Sequence, residues 1–599
     1  MSQNLLAFKP QLLTVAIALG TCTPVGAVSF QLGEIEGQFD SSISVGASWA
    51  IRGADPMFIN SANTQGLRGK SATRTADDNR QNFKKGETFS KIFKGVHDLQ
   101  LKYGDSGVFV RGKYWYDFEL KDEHRLFYDI DDSGRDDLAK ASGAEFLDAF
   151  VYHNYNIGDL AGNVRLGKQV VSWGESTFIG NAINSINPVD VAALRRPGAE
   201  VKEGLIPVNM FYISQGLTEN LTAEAFYQLQ WDNSVVDNCG TFFGSDPLPQ
   251  GCNDRLVFAG ADLAPGVSDN VGNPDANSNV YMPRLEDNDP RDSGQYGVAL
   301  RWFVPELNDT EFGAYAMNYH SRSPFLSFKQ TTSTAGQLAQ VRAARYFVDY
   351  PEDIHLYGLS FQTTLGATSV GGELSYRPNM PLQINTADLN LAAIHSTTGG
   401  VLTSPVFTSG ETTRVLGGDL PGYKRMPVMQ AQVTATQFFD QVLGASRLTL
   451  IGEVGYNRIN GLGNADGTDV RFGRSPVYGA GEFPGTQNTT VCATATNPQK
   501  ECNSHGFYTN DSWGYRIRTK LDYPNVIAGI NLSPNLAWSH DVDGWGPNFE
   551  EGAKAVSVGL DADYLNTYTA SLSYTDFFGG NFNTSTDRDF VSLSFGVNF

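Results

Sequence analysis

The sequence has no run of eighteen apolar residues in its mature part, few cysteines and a deficit of basic charge. Each shortage excludes a class of protein. Without such a run no helix crosses a membrane, and the mean hydropathy of −0.27 agrees. With 44 Lys and Arg against 65 Asp and Glu, the net charge is −21 and the pI about 4.8, a balance that repels phosphate backbones and excludes nucleic acid as a partner. There are only 5 cysteines. Cys22 lies in a leader, and Leu19-Gly20-Thr21 before it is wrong for a lipoprotein signal. The other four form two close pairs, Cys239 with Cys252 and Cys492 with Cys502, read as loop disulfides in an oxidising compartment. Neither pair is CxxC, so neither a metal site nor a cofactor is expected.

What the chain does have is glycine and aromatics: 63 Gly, 37 Phe, 25 Tyr and 8 Trp. The last nine residues alternate, with Val591, Leu593, Phe595, Val597 and Phe599 on one side and Ser592, Ser594, Gly596 and Asn598 on the other. One face of this strand suits lipid, and ending on an aromatic residue resembles the C-terminal strand of Gram-negative outer-membrane barrels. An open strand edge in hydrocarbon leaves backbone groups unpaired, so the strand must close a barrel. The start reads as an export signal over residues 1–27: Lys9, an apolar core from Leu12 to Leu19, and a Val25-Gly26-Ala27 cleavage site. Residues 28–599 then form one domain.

Ten-residue alternation separated by short turns and longer loops is the layout of such barrels. Ile43, Val45, Ala47, Trp49 and Ile51 begin it; Val108 to Leu120 form a strand with Val108, Val110, Tyr114, Tyr116 and Phe118 outward. Long loops fall at about 53–86, 121–143, 174–202, 232–291, 321–353, 382–424, 458–510, 541–552 and 577–588, and both cysteine pairs lie in them. The segments number about eighteen, all-β and antiparallel, with long extracellular loops and short periplasmic turns. A secreted sandwich or solenoid shares the period, but the outward positions are too apolar for a wet face and no fixed-length repeat is visible. The run from Asp129 to Asp137 opens like a calcium loop, yet Lys140 stands where the twelfth-position Glu belongs, so a solvated acidic loop is the better reading.

Period two points both signs of charge into the lumen: Arg111, Lys113, Asp117, Glu119, Asp148, Arg165, Glu224, Arg301, Glu373, Arg377, Arg447, Glu453, Asp561 and Asp563. The row Arg516, Arg518, Lys520 is the one local bias toward an anion or headgroup. The structural alternative is that it pairs with Asp561 and Asp563 two strands on. Phe109, Trp115, Phe150 and Phe226 share the interior, which an amphipathic ligand would use.

Residues 165–200 carry R-x-G-x-Q-x-x-x-W-G-E from Arg165 to Glu175, N-P-x-D from Asn187 to Asp190 and R-R-P-G-A-E from Arg195 to Glu200. Here the chain resembles a proteobacterial family of outer-membrane barrels classed as a domain of unknown function. The resemblance implies the outer membrane of a Gram-negative bacterium, contact with its lipid and lipopolysaccharide, company with an RND-type exporter and a periplasmic carrier, and transport of hydrophobic or lipid-like molecules. The alternatives are a porin for small polar solutes or organic acids and a filled structural or adhesion barrel. Physically, the loop at about 174–202 is too apolar for bulk water. It is expected to fold into the barrel mouth as a plug or gate, with Trp173, Glu175, Asn187, Asp190, Arg195, Arg196 and Glu200 as its site residues. Gly174-Glu-Ser-Thr-Phe178 lacks the second glycine of a nucleophile elbow, so Ser176 is no lipase nucleophile and the chain is read as non-enzymatic.

Overall fold

The computed structural model describes residues 28–63, 66–73, 78–126, 129–244, 248–249, 251, 255–259, 280–394 and 403–599. The export signal read over 1–27 and Cys252 of the first cysteine pair lie outside the described residues.

Alternating segments become the staves of one antiparallel sheet. In chain order they are β1 (Ile35–Ala50), β2 (Thr88–Tyr103), β3 (Ser106–Asp117), β4 (Ser142–Ile157), β5 (Leu160–Gln169), β6 (Val208–Gly216), β7 (Leu221–Gln228), β8 (Tyr296–Val304) and β9 (Thr310–Tyr319). There follow β10 (Ile354–Leu365), β11 (Thr368–Gln383), β12 (Tyr423–Asp440), β13 (Arg447–Ile459), β14 (Asp511–Ile527), β15 (Ile530–Asp543), β16 (Ala553–Tyr564), β17 (Tyr568–Gly579) and β18 (Phe590–Asn598). Each pairs with the next, and β18 pairs back onto β1 from Ser42↔Asn598 to Ala50↔Phe590. The barrel is closed with eighteen staves, and the C-terminal strand is bonded on both edges as its lipid-facing alternation requires. Because β1 is the longer partner, part of its edge extends past the chain end. Ser41 and Phe599 exchange two backbone hydrogen bonds, and below them the short strand Val28–Leu32 pairs with Ile35–Phe39 to fill the remainder.

The outer face carries a belt of exposed Val298, Leu300, Leu359, Leu374, Val433, Val558, Leu560 and Leu572. Aromatic rings border it. Toward the long loops, Tyr227 pairs with Tyr296 and Tyr357 with Tyr376; toward the short turns lie Trp302 beside Phe312 and Tyr564 beside Tyr568. Such a belt between aromatic girdles is the outer surface of a membrane barrel. At the loop end, the loops over β10–β13 fold into a cap with a three-stranded sheet (Phe325–Lys329, Arg345–Asp349, Asp419–Leu420) and its own core around Phe328, Val341, Tyr346 and Leu389. Inside that cap Arg471 and Asp388 form a wholly buried pair at 2.6 Å. Cys492 and Cys502 are joined in a neighbouring loop, with their Cα atoms 5.8 Å apart.

Two local readings need correction. β3 ends at Asp117, not Leu120, because the Asp117 carboxylate accepts from the backbone of Glu119 and Leu120 and caps a short helix, Phe118–Asp122. Phe118 is therefore not an outward strand residue, and Glu119 sits on that helix, bound to Thr88, Lys91 and Arg125, not on a lumen stave. Lys140, the twelfth residue of the acidic run, pairs with Asp137 at 2.5 Å.

Inward and outward positions make opposite predictions in a bilayer. Leu572→Arg, in the middle of the outer belt, should cost roughly 2–4 kcal/mol, whereas Ser573→Asn on the inner face should be close to neutral. Urea unfolding in liposomes measures both, and equal losses would contradict the assigned faces.

Candidate functional site

The connection from β5 to β6, residues 170–207, runs inside the barrel. Most of it has no regular structure, so its backbone groups need partners from the wall. Two buried wall carboxylates supply them. Glu373 of β11 accepts from the amides of Glu175 (2.5 Å), Ser176 (3.1 Å) and Ile183 (3.1 Å). Glu453 of β13 accepts from Thr177 (3.3 Å), Phe178 (2.5 Å) and Ile179 (3.2 Å). The wall is notched where the loop touches it. A Cβ on Gly358 would come within 2.7 Å of Ile183, one on Gly455 within 2.7 Å of Ile179, and one on Gly46 within 2.6 Å of Pro197; glycine inside these strands marks close approach.

Trp173 is 1% exposed; its indole N–H donates to Glu224 at 2.7 Å and its ring packs on Phe226 and Tyr315. Asn187 clamps the loop ends, accepting from Val171 N (3.0 Å) and donating to the carbonyls of Gln169 (3.2 Å) and Ile206 (2.9 Å). Asp190 caps the helix Val191–Arg195 and pairs with Lys113 of β3 at 3.0 Å, both side chains buried. Glu203 pairs with Lys94 of β2, and its carboxylate also accepts from the Glu200 amide. The Glu200 carboxylate itself meets Lys202 at 3.0 Å. Arg195 pairs with Asp237 and lies over Phe243; Arg196 donates to the carbonyls of Leu138 and Lys140 and lies over Trp115. Burial raises the Glu175 carboxyl, partly opposed by Arg301.

The other lumen residues separate into bound and open. Arg111 is clamped by Asp98 (2.7 and 2.8 Å) and by Asp148 (3.1 Å), which a register shift opposite Val110 and Gly112 helps turn inward. Asp117 accepts from Ser90 and Lys91, and Arg165 bonds Asn163 and lies over Phe150 and Tyr212. The cationic row of β14 does not pair with Asp561 and Asp563. Nearer carboxylates intervene: Arg516 meets Asp541 of β15 at 2.7 Å and Lys520 meets Asp522 of β14 itself at 3.1 Å. Asp561 is taken by Asn535 (2.8 Å) and Ser571 (2.7 Å), and Asp563 by Asn531 (3.4 Å).

The loop does not fill the lumen evenly. Along β6–β13 the inward residues, among them Met210, Phe226, Tyr315, Leu356, Gln432 and Asn457, are buried under it. Along β14–β17 they remain partly exposed, and they are small and hydrophilic: Ser539, Ser557, Ser571, Ser573 and Thr575 beside Arg516 and Arg518. Period two marks Glu373 and Glu453 as inward but not as loop anchors, and it leaves Lys94, Glu203 and the β14–β17 passage unmarked. No short-range signal names these partners, since Glu373 and Glu453 reach amides 198 and 275 residues away in the chain.

Removing an anchor should loosen the loop without opening the barrel. Glu453→Ala leaves three loop amides without their acceptor, the buried one of Ile179 at roughly 1–3 kcal/mol and the partly buried ones of Thr177 and Phe178 at less. Hydrogen exchange followed by mass spectrometry should show faster exchange at 175–183 with the staves unchanged; equal protection at 175–183 would contradict the anchoring. Lys113→Met leaves Asp190 buried and unpaired, and urea unfolding should report a loss of about 3–5 kcal/mol.

In structure the chain is similar to OccAB1 of Acinetobacter baumannii at 9% identity and a TM-score of 0.39, covering 95% of this chain and 97% of that one. It is similar to OpdK of Pseudomonas aeruginosa, solved with vanillate, at 10% identity and a TM-score of 0.38, covering 94% and 98%. For the outer-membrane channel DcaP of Acinetobacter baumannii the values are 10%, 0.34, 96% and 100%. None of the curated proteins compared with the chain matches it in sequence. The family model described as a protein of unknown function, DUF1302, matches residues 9–599, and the chain belongs to that family.

Proposed function

We propose that this protein is an outer-membrane channel that passes small polar solutes through a hydrated path between the inner loop and the wall of β14–β17. The observation that carries the reading is the division of the lumen: one wall buried under the loop, the other lined by partly exposed Ser, Thr and Asn with interspersed charge. Hydroxyls and amides bind water without repelling either sign of ion, which suits a wet pore. The apolar belt, with its aromatic borders, supports placement in the membrane.

A lipid-like cargo, the reading implied by the family resemblance, is less well supported. It needs an apolar groove or a lateral exit, but the accessible wall is polar and the β18–β1 seam is hydrogen-bonded from Ser42 to Ala50, with Ser48 and Ser592 also bonded at 2.8 Å. A passive path also has no intrinsic need of the RND-type exporter and periplasmic carrier that belong to the lipid reading.

Single-channel recording in a planar bilayer tests the proposal. The wild type should conduct in discrete steps, and deletion of residues 176–196 should raise the unit conductance roughly twofold or more, since the loop covers the larger part of the wall. A silent wild type would overturn the open path. Equal conductance in both would show that the loop does not bound it.

A further inference from the structure

We propose that Arg518 is a binding site for the carboxylate or phosphate group of a small solute. The inference deepens the channel reading and rests on it for its use, while the site itself is read from side-chain positions. Three cations point inward from β14 at alternate residues, and two are occupied: Arg516 by Asp541 at 2.7 Å and Lys520 by Asp522 at 3.1 Å. Arg518 makes no side-chain hydrogen bond or ion pair with any described residue, and it is exposed. In register it stands between Ile451 of β13 and Ala537 of β15, whose side chains have nothing to accept with. The carboxylates further round the wall are engaged by neutral partners, Asp561 by Asn535 and Ser571 and Asp563 by Asn531.

The same row continues past Ala537 to Ser557 and Thr575, whose hydroxyls are 3.0 Å apart. Ala537 is too short to enter the lumen, so the guanidinium and this hydroxyl pair border one clear stretch of wall. A guanidinium offers five N–H donors in a planar fork that matches two oxygens of a carboxylate or phosphate. Here none of those donors is spent on any described residue. Arg516 shows what the protein does when a β14 cation serves the wall: it places Asp541 beside it.

The test uses the full-length protein in a planar bilayer, with chloride current titrated by acetate or by inorganic phosphate at constant ionic strength. In the wild type at least one probe should lower the current saturably, and which one does so identifies the group recognised. Arg518→Gln should raise the half-blocking concentration at least roughly tenfold. Arg518→Lys keeps the charge, loses the fork and should fall between, while Arg516→Gln should leave the value near that of the wild type. An unchanged value in Arg518→Gln, or no saturable block in the wild type, would overturn the site. If the wild type carries no current, the channel reading fails, and calorimetric titration of the detergent-solubilised protein with phosphate and acetate decides the site separately. Binding heat lost in Arg518→Gln upholds it; equal heat, or none in the wild type, overturns it.

Discussion

Glu373 and Glu453 hold the irregular backbone of the inner loop, and the division of the lumen depends on them. A segment without helix or strand cannot lie within a barrel unless its amides find acceptors in the wall or in water. Each carboxylate accepts three successive or nearby loop amides. Oriented N–H dipoles stabilise the buried negative charge, as in an anion-binding nest, with the anion here supplied by the wall. The exchange satisfies both sides: the carboxylates lose water and gain donors, and the loop gains acceptors where no strand runs beside it. Once the segment 175–183 is fixed in this way, Ile179 and Ile183 meet the notches at Gly455 and Gly358, and Trp173 is buried against Phe226 and Tyr315.

The composition of the staves follows the same division. β6–β9 turn Met210, Tyr212, Phe226, Tyr315 and Met317 inward, a packed apolar wall that would be out of place against water and is instead covered by the loop. β15–β17 turn Ser539, Ser557, Ser571, Ser573 and Thr575 inward, side chains too short to cross the lumen and suited to a wet face. The loop end agrees. The cap stands over β10–β13, while β15 and β16 are joined by a shorter connection, as are β17 and β18.

The architecture was legible in the sequence because a membrane barrel writes the same period-two pattern in every stave. The alternation from Val591 to Phe599 implied closure, and counting the alternating segments led to about eighteen staves, the number found. Three features were not legible. The helix Phe118–Asp122 continues an alternating pattern and is distinguished only by the cap that Asp117 supplies. The partner of Arg516 depends on strand register, and a sequence without register cannot tell Asp541 of the next stave from Asp561 two staves on. The anchors of the loop are separated from it by most of the chain, so their inward orientation could be read but not what they hold.

The loop is clamped at both ends by different chemistry, and this bears on whether it acts as a flap or as a partition. At 175–183 it is held by carboxylates that accept backbone amides; at 190–203 it is held by the buried pairs Asp190–Lys113 and Glu203–Lys94. Pro197 and Gly198 then press against Gly46 of β1 and Ser594 of β18, so the segment spans from the closing seam across to β13. A flap needs one end that releases at low cost. Here breaking either attachment strands buried charge or buried amides, costs of several kcal/mol in each case. The clamps therefore favour a fixed partition, with passage determined by the wall left uncovered, and the groups available to discriminate among solutes are those that face that passage from β14–β17.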